Sequence, residues 1–122
     1  MQYALLIYGD EETPEQRSDD ERRSWYAEYA AYTASLRNEG KLLGGEELQP
    51  AATATAVRVR EGETIVSDGP FAETKEVLGG FYLIDADSLD DAIDAAARIP
   101  SARIGTIEVR PVVAMHMPEP AA

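Results

Sequence analysis

Asp68 opens the most distinctive string in the chain, Asp68-Gly69-Pro70-Phe71-Ala72-Glu73-Thr74-Lys75-Glu76, and its carboxylate is the side chain best suited to acid–base chemistry. Gly69-Pro70 forces a sharp non-helical turn, in front of which a carboxylate has two uses. It can accept the backbone N–H groups that the turn leaves unpaired, Pro70 itself offering none. It can equally stand at the mouth of a pocket as a general base, provided that apolar neighbours such as Phe71 or the tyrosines raise its pKa. Asx turns are common and perturbed carboxylates are rare, so the turn role is the expected one. In that role Asp68→Ala costs about 1 to 2 kcal/mol, as the loss of a cap does. The aromatic side chains expected beside Asp68 around a small organic ligand are Tyr8, Trp25, Tyr29 and Phe71.

Other chemistries lack their residues. The chain has no cysteine and a single histidine, His116, so thiol catalysis, disulfides, a Ser-His-Asp set and a transition-metal site are not expected. Asp85, Asp87, Asp90, Asp91 and Asp94 lack the glycine of a calcium loop, and the helix dipole already accounts for acids in a first helical turn. Gly44-Gly45 and Gly79-Gly80 fit neither the dinucleotide nor the phosphate-loop spacing, so no metal and no cofactor is expected. Arg58, Arg60, Lys75 and Arg110 are conspicuous cations in an acidic chain. An anionic ligand could use them, but the expected partners are surplus carboxylates on an exposed or dimer-facing surface, at ~0 to 1 kcal/mol per pair.

Length and charge frame these groups. At 122 residues, with 44% hydrophobic and 28% charged side chains, the chain makes one globular domain, expected over 1–115, with a Pro-rich tail at 116–122 expected to fray. Acidic side chains number 23 against 11 basic ones, a net charge of -12 with no basic stripe. Such a field repels phosphate backbones and anionic lipid, so neither nucleic acid nor a membrane is an expected partner. The opening MQYALLIYGDEE has no positive leader and too short an apolar stretch for a signal core or a membrane span, which points to the cytoplasm.

The elements that must position the candidates follow from periodicity. Residues 3–8 (YALLIY) read as a strand whose faces, Tyr3/Leu5/Ile7 and Ala4/Leu6/Tyr8, are both apolar. Thr13-Pro14-Glu15-Gln16 has the capping-box pattern and opens a helix whose apolar face is Trp25, Tyr29, Tyr32 and Leu36. Gly40 stands where a left-handed C-cap falls, and Lys41-Leu42-Leu43 starts the next extended segment. Residues 53–60 alternate strictly and turn at Glu61-Gly62 into Thr64-Ile65-Val66, a β-hairpin. Residues 80–84 (GFYLI) are a second strand apolar on both faces. Ser88, with Asp91 following, caps a helix with apolar positions Leu89, Ala92, Ile93, Ala96 and Ala97, stopped by Pro100. Ile107, Val109 and Val113 form a last strand that Pro111 keeps at an edge.

This order predicts an α+β protein, a ferredoxin-like sandwich with an inserted β-hairpin. Its helices cover one sheet face, and the same face of a second copy is the simplest cover for the other. A homodimer with stacked sheets is therefore expected.

The string 68–76, followed by VLGGFYLID, resembles the YCII-related family in the branch named for its DGPF motif. The resemblance runs through MQYALLIYGDE, LLGGEELQP, TATAVRVR, DGPFAETKEVLGGFYLID and IEVRPV, nearly the whole chain. It implies a dimeric α+β barrel of ferredoxin-like subunits, in agreement with stacked sheets. Family members outside this branch resemble carriers of a His-Asp dyad with the histidine in the first helix. With Glu39-Gly40 set on the helix-ending pair of that pattern, the histidine position is Tyr29 here. A phenol of ordinary pKa, about 10, is no base at neutral pH, so the dyad is not carried over, and the Trp25/Tyr29/Tyr32/Leu36 stripe suits an amphipathic core tyrosine. The resemblance also implies the company of extracytoplasmic-function sigma factors.

The expected function is that of a cytoplasmic homodimer holding a small organic metabolite in a cleft between the first helix and the sheet. Tyr8, Trp25, Tyr29, Phe71 and Asp68 would lie near that ligand, and Asp68 would support cofactor-free, isomerase- or lyase-like proton transfer. The competing expectation is a non-catalytic regulatory or accessory module of a sigma-factor system.

Overall fold

A computed structural model describes residues 1–11 and 17–114 of the chain. Strand β1 (Gln2–Gly9) leads to helix α1 (Asp19–Asn38), then to strands β2 (Leu42–Glu47), β3 (Thr55–Arg60), β4 (Glu63–Asp68) and β5 (Val77–Asp85). Helix α2 (Leu89–Ala97) and strand β6 (Thr106–Pro111) follow. The strands β2, β5, β1 and β6 form one four-stranded sheet in that order, every neighbour antiparallel, and β3 pairs with β4 in a separate antiparallel ribbon. The protein is thus α+β. The two segments apolar on both faces, β1 and β5, take the centre of the sheet. The edges go to β2, which carries Glu46 and Glu47, and to β6, which ends on Pro111, where a missing N–H is tolerated.

The capping box expected at Thr13 lies outside the described residues, and α1 starts later, at a second sequence with the same signature. Ser18 is its N-cap and accepts the Glu21 N–H at 3.1 Å, with Asp19, Asp20 and Glu21 in a first turn whose dipole favours negative charge. The other end closes as predicted. Gly40 takes φ +72°, and the N–H groups of Gly40 and Lys41 donate to Arg37 O and Leu36 O at 3.1 and 3.0 Å.

Register sends Tyr3 and Leu5 of β1 to the same face as Ile84 of β5, and both helices pack there. Tyr32 and Leu36 of α1 meet Ala92, Ala95 and Ala96 of α2 on this face, all of them buried. The Tyr32 hydroxyl donates to Ala95 O at 2.7 Å, and burial pushes its phenol far above the ordinary range. Ser88 caps α2 as predicted, accepting the Asp91 N–H at 3.1 Å. The buried face of α2 is shifted from the predicted one, with Ala92 and Ala96 buried as expected and Ala97 exposed. Ala95 is buried, whereas Leu89 and Ile93 are 51% and 48% exposed. Alanines bring the helix close to its neighbours, and the bulkier side chains are left on its outer sides. Val113, expected within the last strand, lies beyond β6 and is exposed. On the opposite sheet face Ala4, Leu6 and Tyr8 alternate into line with Phe81 and Leu83, and none of these belongs to the buried core.

One ion pair ties α2 to the entry of β2. Lys41 Nζ lies 2.6 Å from Asp91 Oδ1, and the Asp87 N–H donates to Asp91 Oδ2 at 3.1 Å. The bond from Lys41, and after it the one from Asp87, holds Asp91 below the usual carboxylate range, and the same bond raises Lys41. A depressed carboxylate stabilises the fold above its unfolded pKa and stops doing so as the pH falls through its folded one. The raised lysine stabilises below its unfolded pKa, and that contribution is lost as the pH rises through its folded one. The stability gap between wild type and Asp91→Asn in denaturant melts is therefore expected to be constant through neutral pH and to shrink on acidification below the ordinary carboxylate range. A gap that persists unchanged down to the acid transition sinks this assignment.

Candidate functional site

Helix α1 brings two of the predicted residues together. Trp25 and Tyr29, one turn apart, meet edge to face with ring centroids 5.7 Å apart and planes at 67°. The Tyr29 hydroxyl shares a 2.5 Å hydrogen bond with Ser101 Oγ in the 3-10 turn Pro100–Arg103 that links α2 to β6. Burial pushes the Tyr29 phenol above its ordinary value, and the Ser101 bond offsets part of that, so this side chain keeps its proton. The guanidinium groups of Arg17 and Arg103 lie 4.8 and 5.8 Å from the Trp25 ring centroid, and Arg103 pairs with Glu28 at 2.8 Å. An open depression of about 630 Å³ beside them is lined by Asp20, Glu21, Trp25 and Ile104 among others. Tyr26, Ser101 and Arg103 were not singled out from sequence. Tyr26 donates to Glu47 Oε1 at 3.0 Å, and that carboxylate raises its phenol.

The other candidates stand elsewhere. Tyr8 is the Cα partner of Leu78 on β5 and of Thr106 on β6, on the sheet face opposite the one against which Tyr29 packs. Asp68 ends β4 opposite Thr55, is exposed, and its carboxylate makes no hydrogen bond among the described residues. The turn after it is held without that carboxylate. Gly69 takes φ +88°, a conformation that glycine alone adopts without strain, and its N–H donates to Ala54 O at 2.7 Å. The backbone bonds expected of Asp68 are thus absent. Phe71 is 80% exposed, and among the described residues no hydrogen bond or ring contact joins it or Asp68 to Trp25, Tyr29 or Tyr8. Of the conspicuous cations, Arg110 pairs with Glu108 and Arg60 donates to Val59 O at 3.0 Å, while Arg58 and Lys75 make no such bond among the described residues. His116 and the tail 116–122 lie outside the described residues.

The far end of the same string holds a carboxylate that sequence reasoning passed over. Glu76 Oε1 accepts a hydrogen bond from Thr106 Oγ1 at 3.2 Å, while Oε2 is buried and has no partner among the described residues. Thr74 Oγ1 donates to Glu76 O at 2.6 Å and shapes the backbone just ahead of it. The signal available in the sequence was an acid set directly before the apolar run Val77-Leu78.

An antiparallel four-stranded sheet with two helices on one face, and with chemistry-bearing groups spread around its rim, defines a small α+β domain. The model of the YCII-related domain matches residues 1–116, and the chain belongs to the YCII-related family. It is similar to an uncharacterized protein of Rhizobium meliloti (strain 1021), 43% identical over 120 residues that cover 97% of this chain and 96% of that one. No helix among the described residues is long and apolar enough to cross a membrane. With no cap bond to lose, Asp68→Ala is expected to change stability in denaturant melts at pH 7 by less than about 0.5 kcal/mol, as exposed substitutions do. A loss of about 1 to 2 kcal/mol would reinstate the cap.

Proposed function

We propose that the protein is a metabolite-binding homodimer of the DGPF branch, a single domain over 1–115 whose ferredoxin-like sandwich with inserted hairpin pairs sheet to sheet as a dimeric α+β barrel in the cytoplasm. The observation that carries this reading is the second sheet face, where Ala4, Leu6, Tyr8, Phe81 and Leu83 are half-buried and outside the core. A contiguous apolar face on two central strands marks an interaction surface. The ribbon supports the same reading, since Val57, Val59 and Val66 are 61%, 59% and 61% exposed and a two-stranded ribbon is marginal by itself in water.

The ligand is a small organic molecule held by aromatic surfaces, with Trp25 and Tyr29 as its neighbours, since Tyr8 and Phe71 stand apart from that pair. Asp68, open to solvent, is the carboxylate available for cofactor-free proton transfer. A second reading, a non-catalytic regulatory or accessory module of a sigma-factor system, draws its support from the lack of any group orienting Asp68 among the described residues, since a general base works from a fixed position.

Sedimentation equilibrium of a dilute sample is expected to give twice the 13.3 kDa chain mass, and a stable monomer overturns the stacked-sheet reading. In a thermal-shift screen of aromatic and carboxylated metabolites, a true ligand raises the melting temperature. Turnover of that ligand, lost in Asp68→Asn without loss of binding, favours the enzyme. Binding without turnover favours the regulatory module.

A further inference from the structure

Among the described residues one buried side-chain oxygen has no hydrogen-bond partner, Glu76 Oε2. A carboxylate oxygen left dry and unpaired is costly, so native proteins either satisfy such atoms or use them. Glu76 stands where three strand ends meet. It directly precedes Val77 of β5, whose Cα partner is Gly9 at the end of β1, and it is bonded by the hydroxyl of Thr106, the first residue of β6. The backbone is close-packed at this rim, since a Cβ added at Gly105 would overlap Tyr8 O. Tyr8 and Thr106 are register partners and therefore point to the same sheet face. No lysine or arginine pairs with Glu76 among the described residues, the adjacent Lys75 included.

We propose that this rim binds a small organic cation whose N–H donates to Glu76 Oε2, with Thr106 holding the carboxylate in place and the Tyr8 ring on the same face. A cation answers both deficits of the site, the missing hydrogen bond and the missing countercharge, where a neutral donor answers one. The net charge of -12 draws cations towards the protein, and an aromatic face adds its own attraction. Glu76 as a whole is half-buried, not sealed off from solvent. The site uses a different carboxylate from the ligand site proposed above, and Tyr8 is the residue it shares with the proposed dimer face.

The probe is methylammonium, with tetramethylammonium at equal ionic strength as a control that carries the charge but no N–H. The Glu76 carboxyl carbon, followed by NMR, is expected to shift saturably with methylammonium and not with tetramethylammonium. In Glu76→Gln, whose amide oxygen still accepts from Thr106, binding read from the Tyr8 and Thr106 resonances is expected to weaken at least about 10-fold, the worth of one bond to a charged group. Glu73→Gln, in the same string, is expected to leave it unchanged. Thr106→Val removes only the anchor and is expected to weaken binding by a smaller factor, so the test survives a poorly folded Glu76→Gln. The proposal is overturned by equal responses to the two ammonium ions, by no response to either, or by a high-resolution structure in which a water or a side chain of a second copy already occupies Oε2.

Discussion

Two strands that are apolar on both faces belong at the centre of a sheet, where neither lies at a wet edge, and the pairing of β1 with β5 between β2 and β6 puts both there. Once they occupy the centre, the polar end of β2 and the proline of β6 fall at edges where charge and a missing N–H are harmless. The pairing is not uniform. Register shifts between Ile7 and Tyr8, so that Leu78 and not Gly79 stands opposite Tyr8. Close approach on the other side of β5 is equally specific, since a Cβ on Gly80 would come within 2.8 Å of Glu46 O.

The helices complete one face by different means. From α1 come large side chains, Tyr32 and Leu36, whereas α2 contributes the small ones of Ala92, Ala95 and Ala96. Tyr32 bridges the two by giving its hydroxyl to Ala95 O, which lets a polar atom sit in the core without an unmade bond. Its ring also meets Tyr82 edge to face at 5.2 Å, and Tyr82 in turn shares a 2.7 Å hydrogen bond with Thr33 Oγ1. A chain of aromatic and hydroxyl contacts therefore runs from α2 through α1 into β5, and it fixes where α1 presents Trp25 and Tyr29.

Local signals were legible in the sequence and long-range ones were not. The apolar runs at residues 3–8 and 80–84, the Ser88 cap and the left-handed Gly40 each depend on a few neighbouring residues, and each is found where run length and capping rules put it. Ser18 caps α1, and nothing local ranks it against the same capping signature at Thr13, which lies outside the described residues. On α2 the expected Ala92 and Ala96 are buried but Leu89 and Ile93 are not, since they outrank alanine in hydrophobicity whereas distance to the sheet decides which side chains fit. Of the site residues, the contact of Trp25 with Tyr29 follows from helical spacing. The placement of Tyr8 on the opposite sheet face depends on which face the helices choose, and the exposed state of Asp68 and Phe71 depends on how β3 and β4 stand off from the sheet. Glu76 was passed over because an orphaned oxygen is a property of its surroundings and not of its residue type.

The β3–β4 ribbon has a backbone ladder that links its two strands only to each other, from Thr55 opposite Asp68 to Arg60 opposite Glu63. Opening it breaks none of the sheet's ladders and uncovers none of the buried core residues. Protection against amide hydrogen exchange should accordingly divide the chain in two, with β1 and β5 exchanging only through global unfolding and the ribbon through its own local fraying. The β3–β4 ribbon is thus expected to open as a unit of its own, one whose length can change without altering the register of the sheet that carries it.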